Sequence, residues 1–85
     1  MNGNETALSV KDIQEIQFRC EAATPGPWTS FVESREKFSG TDFIRTAGED
    51  IYLTGATVAD QDFIAYARQD IPRLIAEIER LKRSK

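Results

Sequence analysis

The chain has 85 residues, 40% of them hydrophobic and 29% charged, with a net charge of −3 and no histidine. That length excludes a second domain, the composition excludes a disordered chain, and the acidic balance argues against general nucleic-acid binding, which needs a basic face. Cys20 is the only cysteine, so no internal disulfide can form, and without histidine metal chemistry loses its usual ligands.

In chain order, Met1–Ala7 is polar and lacks the basic and apolar runs of a secretory signal. We expect it to be frayed, within a single domain spanning 1–85. No apolar run approaches the length that spans a bilayer, so the chain reads as cytoplasmic, without a membrane partner. The first helix has a clear start: Ser9 as N-cap, Asp12 three residues on as the reciprocal member of a capping box, and Leu8 with Ile13 as a hydrophobic staple. Val10, Ile13, Ile16 or Gln17, and Cys20 form its apolar stripe to about Ala22, with Cys20 a core residue. Phe18 falls off that stripe and is expected to widen the core contact, with a partner contact as the alternative.

The segment ATPGPW (Ala23–Trp28) must end this helix, because Pro25 and Pro27 lack backbone donors and force extended geometry on the residues before them. Trp28 is expected to lock the turn onto the core. Trp28–Glu33 has strand composition, a polar loop covers Ser34–Gly40, and a second strand runs from about Asp42 to Thr46. A turn at Ala47–Asp50 leads to a third strand, Asp50–Thr54, in which Ile51 and Leu53 alternate with Tyr52 and Thr54. From Thr57 or Asp60 the chain is helical, with Phe63, Ile64, Ala67, Ile71, Leu74, Ile75, Ile78 and Leu81 spaced by threes and fours. Pro72 is expected to kink or break this helix at Gln69–Ile71, with Asp70 able to cap the second part. The fold class is therefore α+β: an N-terminal helix, three antiparallel strands and a broken C-terminal helix.

Charge is unevenly placed. Residues 49–62 carry Glu49, Asp50, Asp60 and Asp62 without a base, and residues 80–85 carry Arg80, Lys82, Arg83 and Lys85 without an acid. The helix dipole favours acids near the start and bases near the end of one helix; head-to-tail or antiparallel pairing of subunits is the alternative. A core this small supplies only about 3–5 kcal/mol unaided, so we expect a homo-oligomer, with Ile71, Leu74, Ile75, Ile78 and Leu81 as the interface.

Enzymatic chemistry has little to stand on. No histidine can activate a serine or cysteine, and Gly40, Gly48 and Gly55 lack the spacing of a phosphate loop. The pairs Glu49/Asp50 and Asp60/Asp62 are the residue types of a magnesium-dependent hydrolase, but a turn and a helix start explain them better. The ligand candidates are Arg35, Lys37 and Arg45 with Thr46, Tyr52, Thr54 and Arg68, since arginine grips phosphate in two-pronged fashion and an aromatic ring stacks on a base. No cofactor is expected.

The ATPGPW turn and the later D-x-x-F-I-A helix start, carried here by Asp60, Phe63, Ile64 and Ala65, resemble small phage and prophage proteins, the Ea22-like early proteins among them. The likeness covers both ends of the domain and leaves about 29–55 unmatched. It implies an accessory protein of a phage, acting in a bacterial host cell, and supplies no catalytic residues. Joined to the basic and aromatic candidates, it leads us to expect a non-enzymatic, anti-defence protein that sequesters a cyclic or ADP-ribose-type nucleotide at subunit interfaces. A protein-binding module that inhibits a host defence enzyme through a sheet edge or the terminal helix is the alternative.

Overall fold

The computed structural model describes residues 7–84, so of the stretch expected to be frayed all but Ala7 lies outside the described residues. Five elements follow in order: α1 (Val10–Ala22), β1 (Thr29–Phe31), α2 (Glu33–Glu36), β2 (Phe43–Arg45) and α3 (Val58–Arg83). Both long helices start on reciprocal caps that the local sequence dictates. The Asp12 amide donates to Ser9 Oγ at 3.0 Å and the Ser9 amide to Asp12 Oδ2 at 2.9 Å. Thr57 and Asp60 repeat the arrangement at α3, at 3.0 and 3.1 Å. Each cap satisfies two of the amides that a helix start leaves without intrahelical partners.

The fold is α+β, but the sheet has two strands rather than three. β1 and β2 pair antiparallel, with Thr29 opposite Arg45, Ser30 opposite Ile44 and Phe31 opposite Phe43. The expected third strand is reduced to one bridge, in which Ile44 and Ile51 exchange amide hydrogen bonds of 2.9 Å. Two turns confine the pairing. Before it, the Thr46 hydroxyl donates to the Glu49 carbonyl and accepts from the Gly48 amide; after it, Gly55 takes a φ of 81° and turns the chain toward α3. A second departure is α2, a single helical turn that takes the last residue of the stretch read as strand, Glu33, and the first three of the stretch read as loop. It stops at Lys37, which adopts the left-handed conformation with φ 60°.

The terminal helix is not broken. α3 runs 26 residues through Pro72. A proline removes only its own N–H, here the donor to the Arg68 carbonyl, and the helix on either side is held by contacts elsewhere. Ala65 and Ile75, which bracket the proline, are 1% and 8% exposed. At about 1.5 Å per residue the helix is roughly 39 Å long, which sets the elongated 50 × 30 × 21 Å outline. No helix among the described residues is long and apolar enough to cross a membrane.

The core lies between the inner sheet face and one side of α3. Val32, Ile44 and Ala65 are its buried apolar members among the described residues, joined by Gln61 at 4% exposure, while Ile75, farther along α3, is buried beside α1. Gln61, Ala65 and Gln69 are spaced by four, so they share one face of α3, and this face meets the sheet. Gln61 Nε2 donates to Ser30 Oγ at 2.9 Å, the Phe43 carbonyl at 3.1 Å and the Phe31 carbonyl at 3.2 Å. Gln69 closes a second clamp: its Oε1 accepts from the Trp28 amide at 2.6 Å and its Nε2 donates to the Trp28 carbonyl at 3.2 Å.

The ATPGPW turn is fastened to the same helix. Arg68 Nε and Trp28 Nε1 both donate to the Thr24 carbonyl at 2.9 Å. A Cβ added at Gly26 would sit 3.3 Å from Gln69 Oε1 and 3.4 Å from Arg68 Cγ, so the turn lies close against α3 there. Trp28 is half-buried, held at the edge of the core. α1 packs on α3 beyond the sheet, with Ile13, Ile16 and Cys20 half-buried and Arg68, Pro72 and Ile75 across a groove from Cys20. Phe18 does not widen this contact; it is 70% exposed, because its position two residues past Ile16 turns it away from α3.

Candidate functional site

Strand alternation sorts the sheet residues by face. Ser30, Val32, Ile44 and Thr46 point toward α3, so Thr29, Phe31, Phe43 and Arg45 stand on the outer face. There Phe31 and Phe43, directly opposite each other, stack nearly parallel with centroids 5.2 Å apart and planes 8° from parallel. Phe38, delivered by the chain after α2, meets Phe43 edge-on at 5.7 Å. Tyr52 lies at 5.9 Å on another side of Phe43, because the Ile51 bridge points Ile51 inward and its neighbour outward.

Arg45 closes the cluster. Its guanidinium carbon is 4.6 Å from the Phe31 centroid and 5.8 Å from that of Phe43. The cation rests on the ring faces, an attraction of about 0.5–1 kcal/mol at an exposed site. Among the described residues Arg45 makes no ion pair, in contrast to Arg35. The result is a cluster of three half-buried phenylalanines, stacked or edge-on, bordered by an exposed tyrosine and an exposed cation.

The sequence candidates divide accordingly. Arg45 and Tyr52 come together on this face. Arg35 lies elsewhere, with Nη2 2.8 Å from Asp62 Oδ1, in a small polar cleft lined also by Trp28, Ser30, Tyr66 and Gln69. Its hydrogen bond is the main reason the Asp62 carboxyl titrates below the usual aspartate range, with the Ser30 hydroxyl contributing, and the same bond raises Arg35. Lys37 ends α2, with its side chain exposed. Thr46 is a buried turn residue whose hydroxyl is occupied on both sides. Thr54 borders an open groove with Asp60, Phe63 and Ile64, and Arg68 is tied to the Thr24 carbonyl.

The interface candidates also divide. Leu74 and Leu81 are 62% and 52% exposed, Ile71 is 37% exposed and Ile78 half-buried, whereas Ile75 is buried in the chain's own core. Asp60 is spent on its cap and Asp62 on Arg35, and no group of three or more acidic or cysteine side chains placed to hold a metal occurs among the described residues.

Sequence reasoning missed Phe31, Phe38 and Phe43 as members of the outer face, and missed Gln61 and Gln69 as docking residues. The first three were legible in part: strand alternation places Phe31 and Phe43 in one class once the register is known. The glutamines carried a fainter signal, their spacing of eight with a small residue midway. Family models, curated proteins and solved structures were all compared with the chain, and none matches.

Proposed function

We propose that the protein is a non-enzymatic binding module whose working surface is the outer sheet face, and that its ligand is a planar, anionic molecule of the nucleotide class. The observation that carries this reading is Arg45 lying over Phe31 and Phe43 with no counter-charge among the described residues. A base stacks on an aromatic ring or on a guanidinium plane, and the same guanidinium takes a phosphate oxygen at its edge. Tyr52, 60% exposed beside Phe43, supplies a second ring and a hydroxyl. The net charge of −3 favours a small anion over a nucleic-acid polymer. With the resemblance to small phage proteins, the reading becomes sequestration of a host signalling nucleotide by a phage-type, anti-defence accessory protein in the bacterial cytoplasm.

A second reading has its own observation. The face is the surface of a sheet and combines phenylalanine, tyrosine and arginine, the composition enriched where protein partners bind. In that case the module inhibits a host protein.

Native mass spectrometry of the full chain with cyclic and ADP-ribose-derived nucleotides tests the choice. The nucleotide reading expects a discrete added mass, released unchanged on denaturation, and its loss in R45A, with R35A retaining it because Arg35 lies in a different cleft. No added mass with any member of the panel refutes the nucleotide reading for those ligands. Capture of one host protein by the wild type, lost in R45A, supports the second.

A further inference from the structure

The face of α3 that carries most of its apolar residues is not the face that meets the sheet. Ile64, Ala67, Ile71, Leu74, Ile78 and Leu81 recur at alternating spacings of three and four, the repeat of a two-helix seam. The residues that dock α3 on the sheet are instead Gln61, Ala65 and Gln69. The apolar repeat is left largely open: Ile64 and Ile71 are 37% exposed, Leu81 52% and Leu74 62%, with Ala67 and Ile78 half-buried. Phe63, beside the seam, is 75% exposed. An uncovered stripe of this kind marks an interaction surface.

We infer that a second copy of this chain covers the seam, with the two α3 helices antiparallel and a two-fold axis between positions 72 and 73. In this register Ile64 of one copy faces Leu81 of the other, Ala67 faces Ile78, and Ile71 faces Leu74, each layer then repeating in reverse across the axis. The stripe is therefore complementary to itself, as an isologous interface requires. The small Ala67 meets the larger Ile78, so that layer can close without a clash.

Charge selects this orientation over the parallel one. Asp60 lies in the first turn of α3 and Lys82 in its last, both on the side of the seam, whereas Asp62 and Arg80 are already paired within the chain with Arg35 and Glu77. An antiparallel pair places each acidic start beside the partner's basic end, whereas a parallel pair places like charges together at both ends. The acids bordering the middle of the seam are already matched within their own helix, Asp70 by Arg73 at 3.7 Å and Glu77 by Arg80. The small core gives an independent motive, because covering the seam adds the apolar burial that so short a chain lacks alone.

From Ile64 to Leu81 the seam runs about 26 Å at 1.5 Å per residue. That is about two and a half heptads, so the dimer is expected to depend on concentration. The outer sheet face points away from α3 and stays open, so this inference stands independently of the ligand reading.

Sedimentation equilibrium of the full chain over a concentration series reads the mass directly. The expected result is a monomer–dimer equilibrium that L74D abolishes without changing the far-ultraviolet circular dichroism of the monomer, since Leu74 is well exposed. The register is read in a C20S background by mixing I64C and L81C proteins under mild oxidation. Mixed 64–81 disulfides should form, with little cross-linking in either protein alone. A monomer at every concentration, a dimer unaffected by L74D, or efficient self-cross-linking of I64C alone each overturns the inference; the first leaves the seam to a different occupant, and the last indicates parallel helices.

Discussion

Gln61 is the residue whose replacement should cost most for its size. In Q61L the side chain keeps nearly the same volume but loses its donors, so the change isolates the polar contribution. One amide NH2 carries two hydrogens; its contacts with Ser30 Oγ and the Phe31 and Phe43 carbonyls, at 2.9, 3.2 and 3.1 Å, therefore share two hydrogen bonds' worth of donation. With about 1 kcal/mol net for each bond, and a similar cost for leaving a buried carbonyl dry, the loss comes to about 2–3 kcal/mol. Against a total of about 3–5 kcal/mol for a chain of this length, that is most of the stability.

Urea titration followed by circular dichroism and Trp28 fluorescence measures this directly, and thermal melting should show a fall of about 10–20 °C. Q61E sharpens the test. A carboxylate there would face two carbonyl oxygens and donate to neither, so Q61E should be worse than Q61L at neutral pH. Its folded-state pKa would be raised above the unfolded value, so the excess penalty should shrink as pH falls and the group protonates. A loss in Q61L below about 0.5 kcal/mol would refute the assignment of Gln61 as the joint between helix and sheet.

Two further outcomes follow from α3 and its neighbours. P72A restores an N–H able to bond the Arg68 carbonyl; set against the packing lost with the ring beside α1, a gain of about 1–2 kcal/mol is expected, and a lower urea midpoint would contradict it. For Asp62, whose carboxyl Arg35 holds below the ordinary range, the pair stabilises the fold above the unfolded aspartate value and loses that effect as pH falls through the folded one. The melting difference between wild type and R35M should accordingly be open at about pH 7 and close below about pH 3.9, and a difference constant across that range would count against the pair.

What was legible in the sequence was mostly local. The Ser9–Asp12 cap needs only residues three apart, and the first helix ends at Ala22 because the prolines that follow act on adjacent backbone. The sheet's position was legible from composition, but its extent was not: Tyr52 and Leu53 alternate as a strand should, yet the Thr46 turn and Gly55 restrict pairing to Ile51. Helical periodicity found α3 but not its inner face, because docking there is made by two glutamines and an alanine that an apolar pattern cannot register. The ligand candidates scattered for a related reason. Arg35 is captured by Asp62, 27 positions away, and Arg45 meets Tyr52 only through a register that no local signal fixes.

The glutamine clamps reach chiefly for peptide groups. Apart from the Ser30 hydroxyl, Gln61 and Gln69 bond the backbone of Phe31, Phe43 and Trp28. A joint made that way is indifferent to which side chains the strands carry on their far side. Residues 29, 31, 43, 45 and 52 can therefore be exchanged for others that tolerate extended geometry without loosening the attachment, and a library randomised at those positions should retain the fold while changing what the surface binds. The domain is in this sense a ready scaffold for selecting new binders.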